Sequence, residues 1–176
     1  MRFIIALFLW MISLSISGQT NTNRQVRKII ADTTSQFRTL RGELLKVLPA
    51  NDITGIDSVF QSLILIEGTK ENEISFLKEF IVYEAILADT VKEKKGQQIC
   101  DEWKSKLEAI LGYKIPARKM KVADYNPSIY GWEFYVGNLS ISVTLMPFPG
   151  SKNTRAYLSL MFSIDATEVK QGQLNE

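Results

Sequence analysis

From Asn23 the chain places Val26, Ile29, Ile30, Thr33 and Phe37 on one face at helical spacing, which predicts a short amphipathic helix that frays by Ser35. The segment Phe37-Arg-Thr-Leu-Arg-Gly-Glu-Leu-Leu45 then reads as extended, and Gly42 inside it predicts a bulge or a close backbone approach. Pro49, Asn51, Asp52 and Gly55 are loop signals. Val59 to Ile66 is an apolar, β-branched run closed by Glu67-Gly68, which predicts a strand with both faces at least partly covered. Phe76 to Ala88 favours a strand by composition, although Phe76, Phe80, Tyr83 and Leu87 also keep helical spacing.

Thr90-Val-Lys-Glu93 matches a capping box, in which the hydroxyl and the carboxylate satisfy free backbone N–H groups at a helix start. Behind it Ile99, Cys100, Trp103, Leu107, Ile110 and Leu111 share one side, polar residues such as Lys94, Asp101 and Glu108 occupy the others, and Gly112 supplies a stop. After a basic connection from Lys114 to Lys121 the period changes to two. Tyr130, Trp132, Phe134 and Val136 alternate with Gly131, Glu133 and Tyr135, and Gly137-Asn138 turns the backbone. Leu139, Ile141, Val143 and Leu145 then alternate with Ser140, Ser142, Thr144 and Met146, and Leu158, Leu160, Phe162 and Ile164 repeat the pattern against Tyr157, Ser159, Met161 and Ser163. An antiparallel hairpin follows, with one face buried over the Trp103 helix and one face wet. An aspartate is therefore expected to be tolerated at Thr144 and to unfold the domain at Val143. The order α-β-β-β-α-β-β-β suits an α+β two-layer sandwich, a mainly antiparallel sheet packed by two helices. Its two halves are similarly ordered without sequence repetition.

The N-terminus reads differently. Met1-Arg2 precedes an unbroken apolar run from Phe3 to Ile12, followed by small residues at Ser13, Ser15, Ser17 and Gly18, the layout of a secretory signal peptide. The apolar stretch ends at Ile16, short of the ~20 residues a membrane span needs. Residues 1–18 are thus expected to be a cleaved leader, 19–169 a single domain and 170–176 a polar tail. The lone cysteine, Cys100, lies too far along to carry a lipid after the leader, so the expected address is periplasmic or extracellular without a lipid anchor.

Composition narrows the chemistry. The 176 residues contain no histidine and one cysteine, which removes Ser-His-Asp and Cys-His nucleophiles, histidine metal sites and cysteine-cluster zinc sites from this chain acting alone. With 21 Lys and Arg against 19 Asp and Glu, the +2 balance lacks the broad positive surface of a nucleic-acid binder. Neither a cofactor nor a resident metal is expected.

Five groups remain to weigh. Cys100 has Lys104 one turn along its helix to favour a thiolate, yet it shares the face of Trp103 and Leu107, so packing is the better account. Glu71 with Glu73 and Asp101 with Glu102 are close carboxylate pairs in sequence, but spacing alone supports only a solvated surface. Lys114, Arg118, Lys119 and Lys121 form the one notable basic cluster, fit for an anionic headgroup, glycan or partner. Tyr125, Tyr130, Trp132, Phe134, Tyr135 and Tyr157 are an aromatic group able to form a ligand platform; period two sends Trp132 and Phe134 to the core and Tyr135 and Tyr157 outward. Asn138-Leu-Ser140 is a glycosylation sequon that matters only in a eukaryotic secretory pathway.

With its export signal, its helix followed by Phe37-Arg-Thr-Leu-Arg-Gly42 and its closing aromatic strands, the chain resembles small exported bacterial α+β proteins of uncharacterised function. That resemblance implies an exported α+β domain and transfers no functional residue. The expectation is a noncatalytic binding or interaction protein of the bacterial cell envelope. Its partner would be an unknown envelope protein or a small ligand, with no nucleic acid and no membrane span once the leader is cleaved. The candidate surface comprises Tyr125, Tyr135, Tyr157, Lys114, Arg118, Lys119 and Lys121. The alternative is a small-ligand or glycan binder with an aromatic surface. Tyr135, Tyr157 and Met161 clustered over a concave face would favour a ligand, an open edge strand would favour protein pairing, and two carboxylates converging in a cleft would favour an enzyme.

Overall fold

A computed structural model describes residues 21–49, 55–112, 118–120, 129–147 and 155–165. The expected leader and polar tail, together with Lys114, Lys121 and Tyr125, lie outside the described residues.

The first helix, α1, is in place at residues 21–31 and buries Val26 and Ile29. It does not run straight into a strand. Asp32–Ser35 and Arg38–Leu40 form 3-10 turns, with Gln36 and Phe37 between them in the left-handed region at φ 59° and 56°. That kink drops Phe37 into the core, where its ring lies 6.3 Å from that of Tyr83. The expected strand beginning at Phe37 is thereby corrected. It starts only at Arg41, because four residues are spent reversing the chain and seating Phe37 and Leu40.

Four strands then run as an antiparallel meander: β1 Arg41–Val47, β2 Ile56–Ser62, β3 Asn72–Leu77 and β4 Phe80–Lys92. Two expectations change here. The run from Val59 to Ile66 is a strand only as far as Ser62. The Ser62 hydroxyl then lies within hydrogen-bond distance of both the N–H (3.1 Å) and the carbonyl (3.0 Å) of Ile64, an alternative to ladder pairing that turns the backbone out of the sheet. The ambiguous stretch around Phe76 to Ala88 is extended, but divided between β3 and β4 by a turn at Lys78-Glu79.

β4 is 13 residues long and absorbs Thr90, so the capping box is not formed. The second helix, α2, spans Glu93–Leu111; Lys92 stands at its N-cap with no side-chain cap bond, because Thr90 is still extended within β4, in the register shift between Ala88 and Val91. The expected apolar face is otherwise present. Cys100, Trp103, Leu107 and Ile110 are buried, Ile99 and Leu111 are partly buried, and Gly112 ends the helix at φ 78°.

The second half repeats helix and meander. The basic connection contains a short strand, β5 Arg118–Lys119, followed by β6 Tyr130–Val136, β7 Leu139–Pro147 and β8 Arg155–Asp165, with Gly137 at φ 61° in the β6–β7 turn. Each half therefore has four strands where three were expected. All eight join one antiparallel sheet in the order β1-β2-β3-β4-β8-β7-β6-β5, so the two meanders meet along β4 and β8, and β1 and β5 are the edges. The class is α+β, an open, sheet-dominated fold with two helices.

The core comprises alternate residues of the central strands: Ile74 on β3, Ile81, Tyr83 and Ala85 on β4, Leu139 to Leu145 on β7 and Ala156 to Ile164 on β8. Val26, Ile29 and Phe37 belong to the same cluster as the buried face of α2. A polar strut runs through it: the Tyr83 hydroxyl shares its proton between Asn72 Oδ1 at 2.6 Å and the Ile64 carbonyl at 2.8 Å, and Asn72 Oδ1 also accepts from the Ile66 N–H. The wet face expected of β7 and β8 is corrected at their centre, where Ser142, Thr144 and Ser159 are buried on the side opposite the core. Thr144 donates to the Met120 sulfur at 3.2 Å, which puts part of that cover next to β5.

Candidate functional site

Tyr135 and Tyr157 both point away from the core, as period two requires, but they do not form a platform. Tyr135 is opposite Ser140 at the start of β7, whereas Tyr157 is opposite Met146 near its end. Six residues of strand separate those positions on β7, about 20 Å at ~3.3 Å per residue. Tyr135 is 55% exposed. Tyr157 is half-buried and donates to Glu84 Oε1 at 3.0 Å; burial, then the Glu84 charge, raises its pKa.

The basic and aromatic candidates do meet in part. β5 pairs Arg118 with Glu133 and Lys119 with Trp132, which brings two exposed cations to the aromatic strand. There Asp101, on the outer side of α2, accepts from the Tyr130 hydroxyl and from Trp132 Nε1, each at 2.7 Å. Lys119 Nζ lies 4.9 Å from the Tyr130 ring centre and Lys104 Nζ 5.0 Å from that of Trp132. The two rings stand at 86° to each other. A sugar needs a flat, free ring face; here the rings are edge to face, each has a lysine over it, and their polar edges are turned to Asp101. The cluster is a clasp that ties β6 to α2. Burial and the bond to Asp101 push the Tyr130 phenol up to about 12.

Cys100 is buried, and burial followed by the neighbouring Asp101 charge pushes its thiol up to about 12. Lys104, one turn along the helix, bonds Glu108 Oε1 at 2.9 Å, in keeping with packing as the role of Cys100. Of the two carboxylate pairs, Glu71 and Glu73 stay together. Asp101 serves the clasp, while Glu73 faces Glu84 across the β3–β4 ladder. Burial first, then Glu71 and Glu84, raise the pKa of Glu73. Glu71 and Glu73 line a cleft of about 440 Å³ together with Leu45, Leu65 and Lys70. Among the described residues no three or more Cys, Asp and Glu side chains are grouped to hold a metal ion, and no helix is long and apolar enough to cross a membrane.

Sequence reasoning missed the exposed apolar residues that gather near β1 among the described residues. Leu44, Leu45 and Val47 on the edge strand β1 are 48%, 49% and 68% exposed, and Leu63 and Leu65, just past β2, are 68% and 55% exposed. The two segments meet at Leu40, Gly42 and Leu45: Leu63 N–H bonds the Leu40 carbonyl, a Cβ on Gly42 would come 3.2 Å from Leu63 Cδ2, and Leu45 and Leu65 share the 440 Å³ cleft. Gly42 thus marks the close approach its presence predicts. Leu63 to Ile66 is a period-two run whose inward members are Ile64 and Ile66, and the outward leucines were legible only once the strand was known to end at Ser62.

No protein-family model, curated protein or solved structure matches this chain.

Proposed function

We propose that this chain is a noncatalytic, exported interaction protein of the bacterial cell envelope, which docks a protein partner on the β1 edge and the leucines beside it. The observation that carries the reading is the adjacent exposure of Leu44, Leu45, Val47, Leu63 and Leu65 around an open sheet edge. Apolar patches of this kind mark interaction sites in soluble domains. Register shifts between Arg41 and Leu44 and between Leu44 and Lys46 interrupt the ladder of β1. Such bulges oppose the simple addition of another strand, so the contact is made mainly through side chains. The mixed cleft beneath Leu45 and Leu65, with Lys70, Glu71 and Glu73 in its walls, suits an amphipathic side chain of the partner.

A two-layer arrangement, both helices over one face of the sheet, is the finer fold this reading assumes; the shared cluster of Val26, Ile29, Trp103 and Leu107 supports it. Export rests on the Arg2 and Phe3-to-Ile12 pattern, and N-terminal sequencing of protein from its host should begin near Gln19. The docking surface is tested by affinity capture from envelope extract with wild type and with Leu45→Asp/Val47→Asp. A partner retained by the wild type and lost by the variant is expected. Identical captured proteins would refute the β1 surface.

A further inference from the structure

On the outer side of α1, Arg24, Arg27 and Lys28 stand exposed at spacings of three and four residues, so they share one helical face. No carboxylate among the described residues pairs with any of them; the two salt bridges present join Lys70 to Asp89 and Lys104 to Glu108. The chain as a whole carries only +2, so this is a local excess of charge, not part of a basic surface. Arg24 and Lys28 also line a cleft of about 210 Å³ whose opposite wall is Leu63, Ile64 and Leu65. Two of these cations therefore adjoin two exposed leucines, and Arg27 continues their charge along the helix. The acidic residues Glu71 and Glu73 lie in the other cleft, across Leu65. Of the acids on the α1 side, Glu67 accepts from Asn21 Nδ2 and donates its own N–H to Gln25, and Asp32, four residues beyond Lys28, accepts from the Thr39 hydroxyl at 2.6 Å.

We propose that this α1–Leu63 rim is a peripheral contact for an anionic lipid surface, with Arg24, Arg27 and Lys28 at the headgroups and Leu63 and Leu65 in the interfacial layer. Charge complementarity selects that occupant: cations flanking protruding leucines match the two zones of a bilayer interface in order, charge outermost and apolar below it. The contact rests on that reading of the exposed leucines and divides them: Leu63 and Leu65 face the lipid, leaving Leu44, Leu45 and Val47 on the β1 edge to the protein partner alongside.

The test is co-sedimentation of the form recovered from the host with vesicles of phosphatidylcholine, alone or with about a third phosphatidylglycerol, at low and high salt. Binding to the anionic vesicles only, abolished by high salt, is expected. Each cation near such a surface is worth about fivefold in partitioning, so Arg24→Gln/Arg27→Gln/Lys28→Gln should lower it about a hundredfold. Leu63→Ser/Leu65→Ser should cost about tenfold or more. All five side chains are exposed, and an unchanged circular dichroism spectrum separates lost binding from lost fold. Arg118→Gln/Lys119→Gln, at the opposite edge of the sheet, should leave partitioning unchanged. Equal binding to neutral vesicles, no binding to either, or an equal loss in the β5 variant would overturn the proposal, as would capture of a protein partner through these five residues by a domain that ignores vesicles. Loss of the β1 partner in Leu45→Asp/Val47→Asp with vesicle binding intact separates this contact from the docking reading.

Discussion

Gly96 lies in the first turns of α2, directly over the end of β7. A Cβ built there would come 2.4 Å from Leu145 Cδ1, 3.0 Å from Leu145 Cδ2 and 3.1 Å from Val91 Cγ1. Leu145 is 1% exposed, so its side chain has no solvent to retreat into. Gly96→Ala sets two effects against each other. Helix propensity favours alanine by up to about 1 kcal/mol, and by less near a helix end. Overpacking a sealed site costs about 1–3 kcal/mol, because α2 must lift or Leu145 must leave its rotamer. Overpacking should win at a separation as short as 2.4 Å, and the expected result is a loss of about 1–2 kcal/mol, read from urea midpoints at constant m-value. The second half of a double-mutant cycle identifies the cause. Leu145→Ala alone should cost about 2–5 kcal/mol by opening a cavity, and the new methyl should partly fill it, so Gly96→Ala/Leu145→Ala should be more stable than the sum of the single losses by about 0.5–3 kcal/mol. A raised midpoint for Gly96→Ala, or strict additivity in the cycle, would refute the assigned contact.

Further expectations follow from the same geometry. Val143→Asp should unfold the domain, because a buried unpaired charge costs several kcal/mol against a total of about 5–15; Thr144, buried at 3%, should now fail with it while Tyr135→Asp folds normally, and a thermal melt of Thr144→Asp that matches wild type would contradict the covered outer face. Cys100 should resist a thiol reagent at pH 8 until denaturant is added, since its pKa near 12 leaves almost no thiolate; rapid labelling of the native protein would count against the packing. Tyr130 ionises later folded, near 12, than unfolded at about 10, so its contribution to stability is whole below pH ~10 and is lost as pH rises through 12. In Asp101→Asn that loss should move to lower pH, and superimposable tyrosinate titrations of variant and wild type would show the clasp is absent.

Local pattern was sufficient wherever one physical cause acts alone. The stripe from Cys100 to Ile110 can bury itself in one way only, by docking as a helix, and the alternation from Leu139 to Leu145 puts its apolar members on one side of any strand. The lack of histidine and the single cysteine bound the chemistry in any fold. Competition between causes was not legible. Thr90-Val-Lys-Glu93 has the residues of a cap, but β4 runs on to Lys92, so Thr90 is extended and α2 starts without it. Val59 to Ile66 is mostly apolar, but the hydroxyl of Ser62 within it bends the chain out of the ladder. Site geometry was still further from reach: Asp101 meets Tyr130 and Trp132 across about 30 residues of chain, and Leu45 and Leu65 come from separate segments to line one cleft. Which strand is an edge, which outer face is covered and which charges find partners are set by how the two meanders join along β4 and β8. Those contacts lie far apart in sequence, where a local period carries no record of them.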